Sequence, residues 1–295
     1  MPPPTLKNFK PSTDNSVRLW DAASGRELHR FDASGDLGGM QIQFSGDGGR
    51  LLLVGRLTIR VWDAATGIEL FALNSAPNPS GHHTASFSPD LRVILVNEGG
   101  SLRLFDYASG KEGCTIGTGS GHYFGDAEFS SDGSRIVAAL TDMPLRQPTI
   151  QIWDASNCQQ TQAFAATATT FSRASFSTDG KNIVANVGGP PSAQMWGQTV
   201  RSFVPAGAQY VHDVSLSADG KRLLTRSSFY RGTEMYFVSL WDVESGQELH
   251  RFDEGFHRLF VIGFSPDGKT ILVDDQAKPV SLWNAETGEL IRTYP

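Results

Sequence analysis

Residues 263–270 read GFSPDGKT and match the nucleotide-binding pattern G-x-x-x-x-G-K-[ST] at every position. The apolar run ILVDD at 271–275 follows directly and ends in aspartate, as the magnesium-holding strand of an ATPase would. In a nucleotide site, however, the residues after Gly-Lys-Thr enter a helix whose N-terminal amides bind phosphate. The run 271–275 is typical of a strand instead, so the surrounding sequence has to decide between the two interpretations.

Five variants of this segment recur along the chain at nearly regular intervals. They are FSGDGG (44–49), FSPDLR (87–92), FSSDGS (129–134), FSTDGK (176–181) and LSADGK (216–221). None of the five carries the full nucleotide-binding pattern, and Asp267 would place a negative charge beside a phosphate. A long period of this kind is typical of repeat architectures. The segment therefore predicts a repeated structural turn.

A second segment recurs in step with the first and keeps nearly the same period. It reads VRLWDAASG (17–25), IRVWDAATG (59–67), LRLFDYASG (102–110), IQIWDASNC (150–158), AQMWGQTVR (193–201), VSLWDVESG (238–246) and VSLWNAETG (280–288). Around these two turns each repeat has room for four short strands, the last of which reads RELHRF at 26–31. No helical period appears, so the sequence predicts an all-β chain.

The paired segments F-S-P-D-G and L-W-D-x-x-[ST]-G resemble the WD-repeat β-propeller family over nearly the whole chain. The resemblance implies four-stranded antiparallel blades, arranged radially, that bury their faces against neighbouring blades. Many members of this family place a buried Asp six residues before the Trp of each blade, and only Asp14 holds that position here. We therefore expect apolar packing, with few polar networks, to hold these blades together.

Six full repeats occupy residues 40–295, and residues 1–39 supply only part of a first blade. The resemblance thus implies a single domain, 1–295, with seven blade positions of which the first is half supplied. Proline lacks the amide that a strand ladder needs, so MPPPTLKNFK at 1–10 is not expected to form the two missing strands. We expect those strands to come from a longer chain, the ring to stay open, or the free edge to pair with a second copy.

The composition narrows the possible partners and the location. The 25 Lys and Arg against 31 Asp and Glu give a net charge of −6, so nucleic acid is not an expected partner. No apolar run approaches the roughly 18 residues of a membrane span, and none resembles a signal peptide. Cys114 and Cys158 do not amount to a disulfide framework or a metal-ligand pair. These features predict a reducing, cytoplasmic location, no membrane association, and no metal or cofactor.

Two blades are longer than the others between the Asp of the first turn and the third-strand aromatic residue. The fourth spans 132–153 and the sixth spans 219–241, whereas the second spans only 47–62. The added residues and the nearby connections are rich in Arg and aromatic residues, which dominate binding hot spots. We therefore predict a docking surface formed by Tyr123, Met143, Arg146, Phe229, Tyr230, Arg231 and Phe256. The alternative is that Phe229 and Tyr236 merely cover the weak fifth blade, in which Gly197 replaces the usual Asp.

The resemblance implies a non-catalytic scaffold that binds a protein or peptide on the loop-rich face. An enzyme is the alternative, since similar propellers include lactonases and quinone-dependent dehydrogenases with a site in the central channel. The D-x-x-T-G segment at 63–67 resembles the dehydrogenases, but Ile68 stands where those relatives begin Lys-x-x-Trp. A third possibility is a purely architectural partial propeller that retains no ligand.

Overall fold

The structure is a computed structural model that describes residues 16–20, 26–32, 41–55, 57–74, 84–117, 122–142, 147–165, 170–188, 192–197, 199–256, 259–265, 267–275 and 278–294. These residues form strands and turns, with no helix among them, which confirms the prediction of an all-β chain. They fall into two compact units, Met1–Phe124 with Ala155–Gln159, and Gly125–Asp154 with Gln160–Pro295.

The first unit consists of antiparallel meanders, in which consecutive strands pair along the chain. Strands β1 and β2 pair with each other, and β3–β6 and β7–β10 form two four-stranded sheets. The strands are β1 (Ser16–Trp20), β2 (Glu27–Asp32), β3 (Gln41–Phe44), β4 (Arg50–Val54), β5 (Thr58–Asp63), β6 (Glu69–Asn74), β7 (Thr84–Phe87), β8 (Val93–Asn97), β9 (Ser101–Asp106) and β10 (Lys111–Gly117).

The second unit contains four more meanders of four strands, the first of which starts with β11 at the unit boundary. The strands are β11 (His122–Phe129), β12 (Arg135–Asp142), β13 (Gln147–Asp154), β14 (Gln160–Ala165), β15 (Thr170–Phe176), β16 (Ile183–Gly188), β17 (Ser192–Trp196), β18 (Arg201–Phe203), β19 (Tyr210–Leu216), β20 (Arg222–Tyr230), β21 (Glu234–Asp242), β22 (Glu248–Phe256), β23 (Leu259–Phe264), β24 (Thr270–Asp275), β25 (Val280–Asn284) and β26 (Leu290–Tyr294). The predicted four strands per repeat are therefore confirmed for these residues. One feature differs from separate blades: β11 and β15 pair in parallel at Asp126 and Arg173, which joins two meanders in an eight-stranded sheet.

The recurring F-S-x-D-G segment forms the turn between the first and second strands of a meander. The Ser130 hydroxyl donates to Asp132 Oδ1 at 2.6 Å and accepts the amide of Arg135 at 3.0 Å, and Gly133 adopts a φ of 73°. Ser130 is fully buried, so these two bonds satisfy a hydroxyl and an amide that water does not reach. The same pair of bonds is made by Ser45, Ser88, Ser177, Ser217 and Ser265.

The segment that matches the nucleotide-binding pattern is one of these turns. The amide of Gly268 donates to the carbonyl of Ser265 at 2.8 Å, and β24 begins at Thr270. A strand therefore lies where phosphate binding would require a helix N-terminus. The predicted turn and strand are confirmed.

The second recurring segment has a packing role. Its aromatic residue lies on the third strand of a meander and contacts an aromatic residue on the fourth strand of the preceding meander. The Trp62 and Phe31 ring centroids are 5.0 Å apart, and those of Trp283 and Phe252 are 5.1 Å apart. The other pairs of this kind are Phe105 with Phe71, Trp196 with Phe164, and Trp241 with Phe203. Successive meanders within a unit are thus joined through aromatic rings, which bury large apolar areas.

Strand β4 is apolar on both faces because its sheet is covered on both sides. Along β4, Leu51 and Leu53 belong to the cluster shared with β1 and β2, whereas Leu52 and Val54 belong to the cluster shared with β7–β9. This burial on both faces explains the uninterrupted run LLLV at 51–54.

The two cysteines form a disulfide with each other, although the sequence predicted no disulfide framework. Cys114 lies on β10, and Cys158 closes the turn after β13 with its Cα 5.9 Å from that of Cys114. Both belong to the first unit. They are 44 residues apart in the chain, so spacing alone did not reveal the pair.

Candidate functional site

The predicted docking residues are placed in different environments. Phe229, Tyr230 and Arg231 lie together at the tip of the β20–β21 hairpin, and Tyr123 is half-buried on β11 in the first unit. Phe256 is only 3% exposed and belongs to the core between β20–β22 and β23–β25. Its ring is therefore part of the interior, and the surface proposed below leaves it out. The remaining two, Met143 and Arg146, lie outside the described residues.

The insertion in the sixth blade lengthens the hairpin of β20 and β21. Strands β20 and β21 pair over nine positions, from Arg222 with Asp242 to Tyr230 with Glu234, whereas β4 and β5 pair over five. A short turn closes the hairpin through the amide of Arg231 and the carbonyl of Thr233 at 3.0 Å. The continuous ladder gives the tip a defined backbone, which an irregular loop would lack.

Two tyrosines are prominent on this hairpin and its neighbouring strand. Tyr230 is 64% exposed, and Tyr210 on β19 is 62% exposed. The side-chain oxygen of Gln209 accepts the amide of Tyr230 at 3.0 Å, which connects the tip to the start of β19. Sequence reasoning missed Tyr210, because it stands at the start of a first strand and not within an insertion. We call Tyr210, Phe229, Tyr230 and Arg231 the tip surface.

The tip surface also contains a cation stacked on an aromatic ring. The Arg231 guanidinium lies 5.4 Å from the centroid of the Phe229 ring, which is itself 6.0 Å from the ring of Phe237. Phe229 is half-buried and Phe237 is buried. The buried ring supports Phe229 from below, and Phe229 in turn holds Arg231 above the sheet.

A hydrogen-bonded group lies beneath the tip surface and links β19, β20 and β21. His212 Nε2 is 2.7 Å from the Ser228 hydroxyl, which donates to Glu234 Oε1 at 3.0 Å. The His212 ring also packs against Tyr210 and Tyr236, with centroid distances of 6.1 and 5.3 Å. The group therefore holds Tyr210 against the hairpin.

The charge state of His212 depends on its surroundings. Burial, together with the positive charge of Arg226, lowers the pKa of His212 below its ordinary value, while Glu234 and Asp213 act in the opposite direction. His212 is therefore neutral at pH 7, as its hydrogen bond with the Ser228 hydroxyl allows.

The serine, histidine and carboxylate of this group do not have the geometry of a nucleophilic triad. Ser228 is fully buried, so a substrate has no access to its hydroxyl. Glu234 lies 3.7 Å from the same Nε2 atom that contacts Ser228, whereas an orienting carboxylate would bind the opposite ring nitrogen. The arrangement positions side chains and does not activate a nucleophile.

The alternative role for Phe229 and Tyr236 receives no support from the described contacts. Tyr236 packs against the core formed with β23–β25, on the side away from the fifth blade. Neither residue belongs to the described apolar cluster that joins β16–β18 to β19–β21. The described ring contacts of Phe229 are with Phe237 and Arg231 of its own hairpin.

A second charged group lies on the first strands of three successive meanders in the second unit. Arg173 Nη1 is 3.5 Å from Asp213 Oδ1 and pairs through its backbone with Asp126. Burial acts to lower the pKa of Arg173, but Asp213, Asp126 and Glu128 outweigh it and raise that pKa. Sequence reasoning missed this group, although Asp126, Arg173 and Asp213 each stand three residues before the Phe or Leu that opens the first turn.

Within the described parts of the chain, no three His, Cys, Asp or Glu residues are grouped so that they could hold a metal ion. The described residues also contain no helix long and apolar enough to cross a membrane.

Comparison with known proteins identifies the fold but no family. No family model matches the sequence, and no curated protein matches it. Among solved structures, the chain is similar to Kuenenia stuttgartiensis hydrazine synthase, with a TM-score of 0.66 and 15% identity over 83% of this chain and 76% of that chain. That structure is one of 1501 solved chains that match, so the fold is widely shared. With so low an identity the likeness concerns the fold alone, and function has to be argued from the site. By fold, the chain belongs to the all-β proteins built from successive four-stranded antiparallel sheets.

Proposed function

We propose that the chain is a non-catalytic interaction scaffold that binds a protein or peptide partner through the tip surface. The observation that carries this proposal is the exposure of Tyr230, 64%, at the end of the β20–β21 hairpin and of Tyr210, 62%, on the neighbouring strand β19. Large aromatic side chains exposed beside an arginine are the composition that binding hot spots favour.

We also propose that the scaffold is a WD-repeat-like β-propeller with seven blade positions, the first of them half supplied. Two sequence segments recur with the same period, and the four-stranded antiparallel meanders coincide with these repeats. Both observations support this proposal. The aromatic contacts between successive meanders are the kind of joint that a radial array requires.

The rigidity of the tip surface favours binding. The ladder of β20 and β21 fixes the backbone, and Phe229 is supported by the buried ring of Phe237. The Tyr210 ring packs against His212, and the backbone amide of Tyr230 donates to the side chain of Gln209. Since the hairpin backbone is paired and the side chains of Tyr210, Phe229 and Arg231 already have ring contacts, a partner gains contact area at a reduced entropic cost.

The chemistry of the tip surface suits a segment that offers an apolar side chain beside a carboxylate or carbonyl. The tyrosine rings provide apolar area and hydroxyl groups, and the Arg231 guanidinium provides up to five N–H donors. The proposal therefore includes a polar anchor on the partner that lies within reach of Arg231.

Affinity capture with matched variants tests the proposal. The double variant Tyr230→Ala with Arg231→Ala removes two exposed groups of the tip surface and leaves the supporting ring of Phe229 in place. The control, Val200→Ala with Val204→Ala, removes two apolar side chains of the same unit that are 65% and 55% exposed. Circular dichroism and thermal unfolding establish that both variants fold as the unaltered chain does.

We expect the unaltered chain and the control to capture the same protein, and the tip variant to lose it. With a purified partner, the Kd should rise at least about tenfold, because two hot-spot truncations cost more than about 1 kcal/mol each. Equal capture by both variants, or no capture by the unaltered chain, would refute binding at the tip surface.

A further inference from the structure

A recurring contact fastens the fourth strand of a meander to the second turn of the next one. His29 Nε2 on β2 is 2.8 Å from the carbonyl oxygen of Ala65, and His250 Nε2 on β22 is 2.8 Å from that of Glu286. Each acceptor is the third residue of its turn, counted from the Asp or Asn that follows the third-strand aromatic residue. We call this contact the joint latch.

Arginine makes the joint latch at another junction. Arg201 on β18 donates to the carbonyl of Glu244, which is the third residue of the turn starting at Asp242. Its register confirms the equivalence, since Arg201 pairs with Met195, the residue before Trp196. His29 and His250 likewise pair with the residue before their tryptophan. One strand position thus supplies the latch at three junctions.

Cysteine occupies both ends of this latch at a fourth junction. Cys114 holds the strand position, since it lies two residues after Glu112, which pairs with the third-strand aromatic residue Phe105. His29 and His250 have the same offset from the glutamates that pair with their tryptophans. Its disulfide partner, Cys158, closes the turn that begins at Asp154.

The position of Cys158 belongs to glycine in the sister turns. Gly67 and Gly288 close those turns with φ of 73° and 72°, and Cys158 has a φ of 58°. A Cβ built on Gly67 would lie 2.8 Å from His29 Nδ1, and one on Gly288 would lie 2.7 Å from the equivalent histidine atom. The latch residue and the closing residue are therefore within bonding reach of each other. A cysteine at a positive φ is conformationally unfavourable, so its presence here requires a compensating gain.

We propose that the Cys114–Cys158 disulfide is the covalent form of the joint latch, and that the protein works in an oxidising compartment where this bond persists. Two thiols would leave the junction without the polar contact that His29, Arg201 and His250 make at theirs, while keeping the unfavourable backbone of Cys158. Disulfides persist in oxidising compartments and are rare where cellular thiols keep cysteines reduced. The proposal replaces the reducing location predicted from the cysteine count, and it does not depend on the proposed scaffold function.

The bond is open to thiol–disulfide exchange, because both cysteines are only half-buried. A thiolate of dithiothreitol attacks one Sγ, the Sγ–Sγ bond breaks, and the other sulfur leaves as a thiolate that takes up a proton. The second thiol of the reagent then displaces the first cysteine, which leaves two protein thiols and the cyclic oxidised reagent. Two electrons pass from the reagent to the protein, and the junction loses its covalent latch.

The test compares the unaltered chain with a variant that restores the polar latch. The double variant Cys114→His with Cys158→Gly recreates the pair found at His29 and Gly67, and Cys114→Ser with Cys158→Ser removes the bond without a replacement. Each protein is exported to the bacterial periplasm, purified without reductant, and denatured in the presence of an alkylating reagent. Mass spectrometry then counts the alkylated cysteines, and limited proteolysis follows the folded proteins with and without dithiothreitol.

We expect no alkylated cysteine in the unaltered chain, and cleavage about tenfold faster after reduction, because the turn that Cys158 closes is then released from β10. The serine variant should be cleaved at the faster rate with and without dithiothreitol. The histidine–glycine variant should be cleaved at the slower rate, and dithiothreitol should not change that rate. Two alkylated cysteines in the unaltered chain would overturn the proposal. So would a cleavage rate that neither reduction nor the serine variant changes.

Discussion

Replacing Ser130 with alanine should be among the more damaging single-atom changes in the second unit. Ser130 is fully buried, donates to Asp132 and accepts the amide of Arg135. The change removes one charge-assisted hydrogen bond, worth about 1.5–3 kcal/mol, and leaves a backbone amide without its acceptor, at about 1–3 kcal/mol. Asp132 is exposed, so water replaces part of the first loss. We expect a loss of about 3 kcal/mol in the free energy of unfolding.

Thermal and urea unfolding measure this loss. For a unit of this size, about 3 kcal/mol lowers Tm by roughly 6–12 °C. The matched control is Ser131→Ala, since the exposed hydroxyl of Ser131 donates only to the carbonyl of Thr178 at 2.7 Å. We expect the control to lose about 1 kcal/mol or less.

An NMR titration gives an independent readout of the same bond. The Ser130 hydrogen bond is the main reason that the pKa of Asp132 is lowered to about 2. In the Ser130→Ala variant this pKa should rise toward the ordinary value of 3.8, and in the Ser131→Ala control it should stay near 2. A stability loss smaller than that of the Ser131→Ala control, together with an unchanged pKa, would show that the turn does not depend on its serine.

Three further predictions concern the latch and the group beneath the tip. Reduction of the Cys114–Cys158 disulfide should lower the free energy of unfolding by about 4 kcal/mol, because the bond closes a 44-residue loop in the unfolded chain. Urea unfolding of the oxidised and reduced chains measures this difference, and a value below about 1 kcal/mol would contradict the prediction. Because the native pKa of His212 lies below the ordinary 6.5, its stabilising contribution should be complete above about pH 6.5 and decline as the pH falls toward the lowered native value. Denaturation across pH 5–8 should show this decline, and the variant His212→Asn should lack it. Gly67→Ala should cost more than Gly110→Ala in thermal unfolding: both have positive φ, 73° and 69°, but only at Gly67 would the added Cβ meet a side chain, at 2.8 Å. Equal losses would show that the joint latch tolerates displacement.

Much of the fold can be predicted from the sequence because each of the two recurring segments has its own structural role, one as a turn and the other as a packing contact. Serine and aspartate recur as Ser-x-Asp-Gly since that turn needs a buried hydroxyl between a carboxylate and an amide. An aromatic residue recurs on the third strand since at Trp62, Phe105, Trp196, Trp241 and Trp283 it packs on the preceding meander. The turn involves a few neighbouring residues, and the packing contact joins successive repeats. Both requirements therefore recur at a regular interval that is visible in the sequence.

The tip surface is less predictable, because it depends on contacts that occur in one blade only and therefore do not appear as a repeat in the sequence. Phe229, Tyr230 and Arg231 were found from an insertion, but the insertion extends a ladder that fixes them in place. Phe256 has the same composition signal and lies in the core, since composition does not tell on which face of a strand a residue falls. Tyr210 has no signal of its own and gains its role only through a neighbouring strand.

The pairing of β11 with β15 has a consequence for how the second unit opens. Besides the backbone pair at Asp126 and Arg173, the Glu128 carboxylate accepts the amide of Phe176 at 2.8 Å, so a side chain continues the ladder where the backbones diverge. The two meanders share these bonds, and neither can separate without breaking them. Amide protons on both sides of this seam should therefore exchange with deuterium together, as one cooperative folding unit, while the other four-stranded sheets exchange at their own rates.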